Sequence, residues 1–366
     1  MSSRSTHLVT GGTGFVGAAV VLELLERTED AVVAIVRPGD TNAPRRFREA
    51  LATAAAAYAS RIELASALER CAVVAGDVAQ PGCGLDRASV GQVTQVWHCA
   101  ASLRYENRHA AEIEATNVGG TRQVLALAEA LGAEAFNYVS TAYVSGRTSG
   151  IIREQVLTDA EPNNCYERSK QAAEQLVLAL RGPQVRIFRP SIVVGHSRTL
   201  AATTFSGYYG FVRQILQFRG MSQRVQAGLL ETTPLRLRLD PEAPINLVPV
   251  DIVAREAVAI ARAATSEGVY HLTHAAPPTV GTTVRTIFAM NGLHEPIFVG
   301  EDDELGWLDQ PLDRRLVFYR SYTSGDRRFD RSRSDAALGT KRCTDPVYDV
   351  DAIDALGRWY LARLQR

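Results

Sequence analysis

The amino-acid sequence predicts an α/β fold: a doubly wound parallel sheet with a smaller C-terminal α/β lobe. Three observations predict it. Through the first 190 residues, short β-rich runs alternate with stretches whose apolar residues recur at helical spacing. The first run opens directly onto a glycine-rich turn and an apolar helix. After Pro190 the alternation loosens into irregular, proline-bearing segments.

The elements follow in order. His7–Thr10 reads as the first strand, Phe15–Arg27 as the first helix and Ala31–Val36 as the second strand. Arg45–Arg70 is alanine-rich and helical in character, an insertion of the kind that drapes over a sheet edge. Cys71–Ala75 and Gln95–Cys99 are the third and fourth strands. In Ala110–Leu131, Val118, Val124, Leu125, Leu127, Ala128 and Leu131 keep a helical period. Ala135–Ser140, the helix Tyr166–Leu180 and the strand Val185–Phe188 complete the alternation, which implies right-handed βαβ units. Farther on, Thr203–Arg219 is apolar and aromatic and reads as a helix, and Leu229–Pro244 is irregular with three prolines. Ile245–Val250 resumes a strand, and Asp251–Ala264 reads as a helix with Asp251 at its N-cap. From Pro277 onward, helices and loops alternate without repeats, and Arg314–Arg342 is locally basic.

Composition narrows the function classes. A chain of 366 residues holds one large α/β domain with an appended lobe, or two domains. Apolar residues at 46% and charged residues at 22% provide a sizeable core and exclude global disorder. Lys+Arg and Asp+Glu stand at 40 each, so no net charge draws the chain to nucleic acid or to an anionic membrane. The five cysteines are scattered, with no CxxC pair and no metal-ligand spacing, which fits reduced thiols. A core strand begins by residue 7 and no apolar run approaches a bilayer span. The expectation is a cytoplasmic chain without a metal, a nucleic-acid partner or a membrane span.

The turn Thr10-Gly11-Gly12-Thr13-Gly14-Phe15-Val16-Gly17 fits a dinucleotide pyrophosphate. Gly11 permits the tight turn, Gly14 lets the backbone approach the phosphates, and Gly17 lets the helix lie close on the strand. Thr10, Gly11, Thr13, Gly14, Phe15, Val16 and Gly17 are therefore candidate cofactor contacts. The second strand runs into Arg37-Pro38-Gly39, with no acidic residue for a ribose 2′-hydroxyl. Arg37, aided by Arg45 or Arg46, suits the 2′-phosphate of NADP(H); a solvated arginine is the alternative. Asp77, in Gly76-Asp77-Val78, either accepts from an adenine amino group or caps its own loop. Cys99-Ala100-Ala101 supplies small residues beside a nicotinamide ribose, Cys99 serving as a small buried hydrophobe. Val78 and Pro190 complete the expected cofactor contacts.

Ser140-Thr141 and Tyr166-Glu167-Arg168-Ser169-Lys170 supply a hydroxyl, a phenol and an ammonium. Tyr166 and Lys170, four apart on one helix, share a face. A lysine beside a phenol is expected to lower the phenol's pKa, which suits a proton-transfer group. Thr141, at a strand end, can hydrogen-bond the same substrate oxygen.

Taken together, TGGTGFVG, WHCAAS, NVGGTRQVL, YVSTAYVSG, YERSKQAAEQLV, FRPSIVVGHSRT and NLVPVDIV resemble the extended short-chain dehydrogenase/reductases over roughly residues 7–256. Within that superfamily the chain is similar to the thioester reductase and fatty acyl reductase branch. The resemblance implies Thr141, Tyr166 and Lys170 as a catalytic trio, with Lys170 also holding the nicotinamide ribose. It implies that Asn117 positions the active-site helix or a relay water. Tyr143 then packs, and Ser140 is a neighbour of the catalytic hydroxyl. The expected organisation is a Rossmann-type NADP(H) domain over residues 1–190, to which 245–264 returns, and a mainly substrate-binding lobe over 191–366.

The reaction expected is NADPH-dependent reduction of an acyl thioester, on a carrier protein or coenzyme A, to an aldehyde or on to an alcohol. No carrier domain is present, so an acyl carrier protein would act in trans. Two alternatives stand beside it: a dehydrogenase, ketoreductase or sugar-nucleotide epimerase with the same trio, and a non-catalytic NADP(H)-binding regulator. Ala142-Tyr143 after Thr141, and Ser191-Ile192-Val193-Val194-Gly195-His196 after the sixth strand, depart from the sugar-acting pattern. The apolar Thr203–Phe218 suits an acyl substrate or merely packs the lobe. His196 is a substrate contact or a polar loop residue. The basic Arg314–Arg342 receives an acidic carrier or is a solvated face.

Overall fold

The computed structural model describes residues 4–39, 41–104, 106–263 and 267–364. Its centre is a seven-stranded sheet in the order Gly268–Leu272, Gln184–Pro190, Ala135–Val139, Gln95–His98, Thr6–Thr10, Ala31–Val36 and Cys71–Ala75. Every neighbouring pair is parallel. The order reverses between Thr6–Thr10 and Gln95–His98, the point at which open α/β sheets hold ligands beyond the strands' carboxyl ends.

Parallel strands buried on both faces read as continuous apolar runs, as AVVAIV does at Ala31–Val36. Side chains alternate across the sheet. Val9 enters one core with Trp97 and Phe188, covered by the helices Phe15–Arg27, Ala43–Ala57 and Val250–Ala261. Leu8 enters the opposite core with Phe136 and Ile187, under Gly120–Ala130 and Cys165–Leu178. A third core, around Tyr209, Phe211, Ile287, Leu312 and Tyr360, joins Tyr208–Val225, Val280–Met290, Gln310–Arg320 and Val350–Leu364.

Several boundaries depart from expectation. The aromatic helix runs over Tyr208–Val225, not Thr203–Arg219, because Gly207 at φ +54° turns the chain immediately before it. Pro249, not Asp251, is the N-cap of Val250–Ala261. The Asp251 carboxylate instead accepts from Ser197 N–H and Oγ–H, each at 2.7 Å; Ala264 lies outside the described residues. The expected helix over Ala110–Leu131 is interrupted by a π-turn at Glu114–Gly119. Gly268–Leu272, not anticipated, adds an edge strand beside Gln184–Pro190.

The basic segment is largely spent internally. Arg320 pairs with Asp313 and Glu301, and Arg327 donates to the Gly146 carbonyl at 2.8 Å. Arg331 meets Glu256 at 2.9 Å, Arg333 donates to the Glu267 carbonyl, and Arg342 meets Asp335 and Asp345. These bonds fasten the last third of the chain to the sheet and its helices. Among the described residues, no helix is long and apolar enough to cross a membrane.

Candidate active site

At the sheet's reversal, beyond the strand ends, lies a cavity of about 380 Å³. Gly11, Gly14, Phe15, Val16 and Gly17 line it, together with Cys99, Ala101 and Pro190 and with Thr141, Tyr166 and Lys170. The turn is compact. Gly11 has φ +71°, and a Cβ there would stand 2.5 Å from Ala100 N. A Cβ on Gly17 would stand 2.1 Å from the Gly11 carbonyl oxygen. Side chains at these positions would push the first helix off the turn and the turn off the fourth strand. The helix Phe15–Arg27 has no side-chain cap at Gly14 and no acid in its first turn. Its leading N–H groups and dipole are therefore available to an anion.

The second-strand arginines divide. Arg46 donates to the Arg37 carbonyl and lies 3.0 Å from where a Gly39 Cβ would be, so Arg37 and Arg46 both stand at the strand end. Arg45 turns to Glu49 at 2.7 Å. Asp77 Oδ1 accepts from Ala79 N–H at 3.0 Å, as a loop cap does, and Val78 packs under Gly120. Thr10, Thr13, Ala100, Asn117, Arg37, Asp77 and Val78 do not line the cavity.

Lys170 is buried at 2% exposure. Its Nζ donates to the Val139 carbonyl at 2.7 Å and the Tyr138 hydroxyl at 3.1 Å, and lies 4.6 Å from the Tyr138 ring centroid. Burial pulls its pKa from 10.5 down to about 8, with Glu174 opposing. The expected lowering of the Tyr166 phenol is not what the structure gives. Desolvation pushes that phenol up, and the neighbouring Glu167 carboxylate adds to it. The physical reason is direction: the ammonium is aimed at Tyr138 and Val139. Cys99 is pushed up to about 12 by burial, so it stays a protonated thiol.

Thr141 caps the turn Ala142–Ser145, its Oγ1 accepting from Tyr143 N–H at 3.2 Å. Ser140 Oγ is buried and meets no hydrogen-bond partner among the described residues, leaving capacity for a ligand's polar atom at the cavity wall. The glycine cradle, the uncapped helix start and this hydroxyl together fit a dinucleotide.

The family model described as "male sterility protein", an NAD-binding family, matches residues 9–257. The chain belongs to this family. It is an extended short-chain dehydrogenase/reductase of the thioester reductase and fatty acyl reductase branch, with a nicotinamide cofactor. It is similar to the glycine betaine reductase ATRR of Emericella nidulans, 29% identical over 64% of this chain and 19% of that protein. It is also similar to fatty acyl-CoA reductase 1 of Gallus gallus, 26% identical over 69% of this chain and 54% of that protein. The chain thus spans about half or less of the length of these curated relatives. Among solved structures, the terminal R domain of the myxalamid PKS-NRPS pathway superposes with a TM-score of 0.78. It is 26% identical, and the match covers 99% of this chain and 92% of that one.

In this male sterility family member, Asn117 lies in the π-turn, 1% exposed. Its side chain accepts from Ser102 N–H at 2.7 Å and donates to Ser169 Oγ at 2.9 Å, linking the turn to the helix that carries Tyr166 and Lys170. Sequence reasoning missed the buried chain beneath it. Ala100 N–H donates to Thr10 Oγ1 at 3.4 Å, and Thr10 meets His98 Nδ1 at 2.7 Å. His98 Nε2 meets Thr121 Oγ1 at 3.0 Å, which donates to the Asn117 carbonyl at 2.6 Å. Burial holds the His98 pKa down at about 3, so the ring is neutral and can donate at one nitrogen and accept at the other. The available signal was a histidine ending a buried strand after Val96 and Trp97, since a buried polar group demands partners.

His196 resolves as a loop residue, its Nδ1 accepting from Arg198 N–H at 3.2 Å away from the cavity. The aromatic stretch divides between the cavity and the core. Phe205, which precedes the helix, lines the cavity with Tyr208 and Phe211; Tyr208 and Phe211 also belong to the third core, with Tyr209, Ile215 and Phe218.

Proposed function

We propose that this chain is an NADPH-dependent reductase that converts an acyl thioester, on a carrier protein or coenzyme A, to an aldehyde. The observation that carries this is a single cavity. It joins the dinucleotide turn to Thr141, Tyr166 and Lys170, and continues between the aromatic walls of Phe205, Phe211, Phe318, Tyr319 and Tyr322. An apolar extension beyond a proton-donating group suits an acyl chain better than a polyhydroxylated sugar. The names of the relatives, an acyl-CoA reductase and terminal reductase domains, support the same reading.

The glycine turn and the uncapped helix start would hold the pyrophosphate, and Arg37 with Arg46, together at the end of the second strand, would meet the 2′-phosphate of NADPH. When bound, the nicotinamide supplies a hydride. Tyr166, kept protonated by burial and by Glu167, gives its phenolic proton to the carbonyl oxygen. Thr141 donates to the same oxygen, a contribution on the order of 3–4 kcal/mol for a well-placed donor. Lys170, its ammonium fixed by the Val139 carbonyl and the Tyr138 hydroxyl, would hold the nicotinamide ribose. The hemithioacetal then breaks its C–S bond, releasing the aldehyde and a thiol.

Incubating the purified protein with NADPH and panels of acyl-CoA, acyl-carrier, ketone and UDP-sugar substrates tests the reading. Aldehyde appearing with equimolar free thiol supports it. Turnover of ketones or sugars alone would sink it.

A further inference from the structure

Residues 322–329 follow the helix Gln310–Arg320 of the third core and return to the elements that carry the reacting groups. Their last two residues, Arg328–Phe329, pair in parallel with Ile151–Ile152. Two elements are gripped on the way. The first is the turn Ala142–Ser145, which Thr141 caps. Its Tyr143 ring meets Tyr322 edge-on with centroids 4.7 Å apart and Phe329 at 5.7 Å. The Arg327 guanidinium lies 5.6 Å from the same ring centroid and donates to the Gly146 carbonyl at 2.8 Å. The second is the start of the helix Cys165–Leu178, which carries Tyr166.

At that helix start the hydrogen bonds close a ring. Asn164 Oδ1 accepts from Glu167 N–H at 2.9 Å, which fixes the direction of the amide. Its Nδ2 can then donate both ways, to Glu167 Oε1 and to Tyr322 Oη, each at 3.2 Å. The Tyr322 oxygen accepts from Asn164, so its own proton is free for the Glu167 carboxylate, to which it is hydrogen-bonded. Asn163 adds its N–H at 2.7 Å and its Nδ2 at 3.0 Å on Glu167 Oε2. Glu167 is 0% exposed. An N-cap asparagine with a glutamate three residues on is a capping arrangement, which accounts for the bonds within the helix start. It calls neither for a fully buried carboxylate nor for a phenol from beyond residue 320. Tyr322 lines the cavity with Tyr166, yet its hydroxyl is committed to Asn164 and Glu167.

We propose that Tyr322 is a positioning residue for the proton donor: its hydroxyl, held between Asn164 and Glu167, fixes the helix turn that carries Tyr166. Proton transfer in step with hydride transfer is sensitive to misplacement by about 1 Å, and the first turn of a helix is where a chain frays. The ring closed by Tyr322 removes that freedom one residue to either side of Tyr166. Its role rests on Tyr166 being the donor in the thioester reading above, and not on the identity of the acyl group.

Tyr322→Phe removes the hydroxyl and keeps the ring against Tyr143. On whichever carbonyl substrate the wild type reduces, the rate of NADPH oxidation within a single turnover should fall at least ~10-fold. The dissociation constants of NADPH and substrate should stay within about twofold, which also reports an intact fold. In a Tyr166→Phe background the same substitution should change the rate less than about twofold, because the group it positions is gone. Glu167→Gln should reproduce the loss, and Tyr322→Phe/Glu167→Gln should be no more than about twofold slower than the slower single variant. An unchanged rate in Tyr322→Phe would overturn the positioning role. So would an equal loss with and without the Tyr166 hydroxyl, or a loss confined to cofactor affinity, either of which makes Tyr322 a packing residue. Ketone turnover without thioester turnover would overturn the thioester reading alone, since the same comparison on the ketone still decides the role of Tyr322.

Discussion

Lys170 carries a cost that can be measured without any substrate. Its pKa falls from 10.5 to about 8, mainly because burial at 2% exposure strips water from the ammonium. Each unit corresponds to about 1.36 kcal/mol, so holding this ammonium in the fold costs about 3 kcal/mol below pH 8. The sign follows from proton counting. Between pH 8 and 10.5 the unfolded chain keeps the lysine proton and the folded chain sheds it, so stability rises with pH across that window. Lys170→Met removes the titration. It also leaves the Val139 carbonyl and the Tyr138 hydroxyl without this donor, a loss of about 1–3 kcal/mol that does not vary over this range. Urea unfolding of both proteins at pH 7, 8, 9 and 10 isolates the difference, because every other titrating group is common to the two. Wild type should gain about 2–3 kcal/mol on the variant between pH 7 and 10. A difference constant to within about 0.5 kcal/mol would show that Lys170 is not a desolvated ammonium, and would refute the reasoning.

Three further outcomes follow from the site. Tyr166→Phe should cut thioester turnover at least ~100-fold while the NADPH dissociation constant stays within about twofold; a tenth or more of wild-type turnover would remove Tyr166 as the proton donor. Arg37→Ala combined with Arg46→Ala should weaken NADPH at least ~10-fold and NADH by no more than about twofold, followed by cofactor fluorescence; equal losses would remove the 2′-phosphate argument. Gly17→Ala places a methyl 2.1 Å from the Gly11 carbonyl oxygen, so the turn must open. The variant should lose NADPH binding and more than about 2 kcal/mol of stability, as read by titration and urea unfolding.

Much of this architecture was legible because it rests on local rules. The run AVVAIV, the glycines at 11, 14 and 17, and the i,i+4 pair of Tyr166 and Lys170 each express a backbone requirement that a few neighbouring residues satisfy. What escaped depends on partners distant in the chain. Nothing near Asp251 reveals that Ser197 will take its carboxylate, so a plausible N-cap became a tether between segments. The arginines after residue 314 form one basic run in the sequence. The acceptors of Arg327, Arg331 and Arg333 include Gly146, Glu256, Glu267 and Thr273, which only the fold brings near.

The same distinction governs the chemistry. Helical spacing places Tyr166 and Lys170 on one face, yet spacing cannot tell where the ammonium points. The strand Ala135–Val139 decides that, by offering the Val139 carbonyl and the Tyr138 hydroxyl. The consequence is a pair of shifts in opposite directions with one common effect. Burial raises the phenol and lowers the ammonium only to about 8, so near pH 7 both groups still carry their protons. A phenol that is to accept a proton must first be a phenolate, which needs a neighbouring positive charge; one that is to give a proton needs to reach neutral pH still holding it. The proposed reduction requires the second condition, and burial with the Glu167 carboxylate favours it at Tyr166.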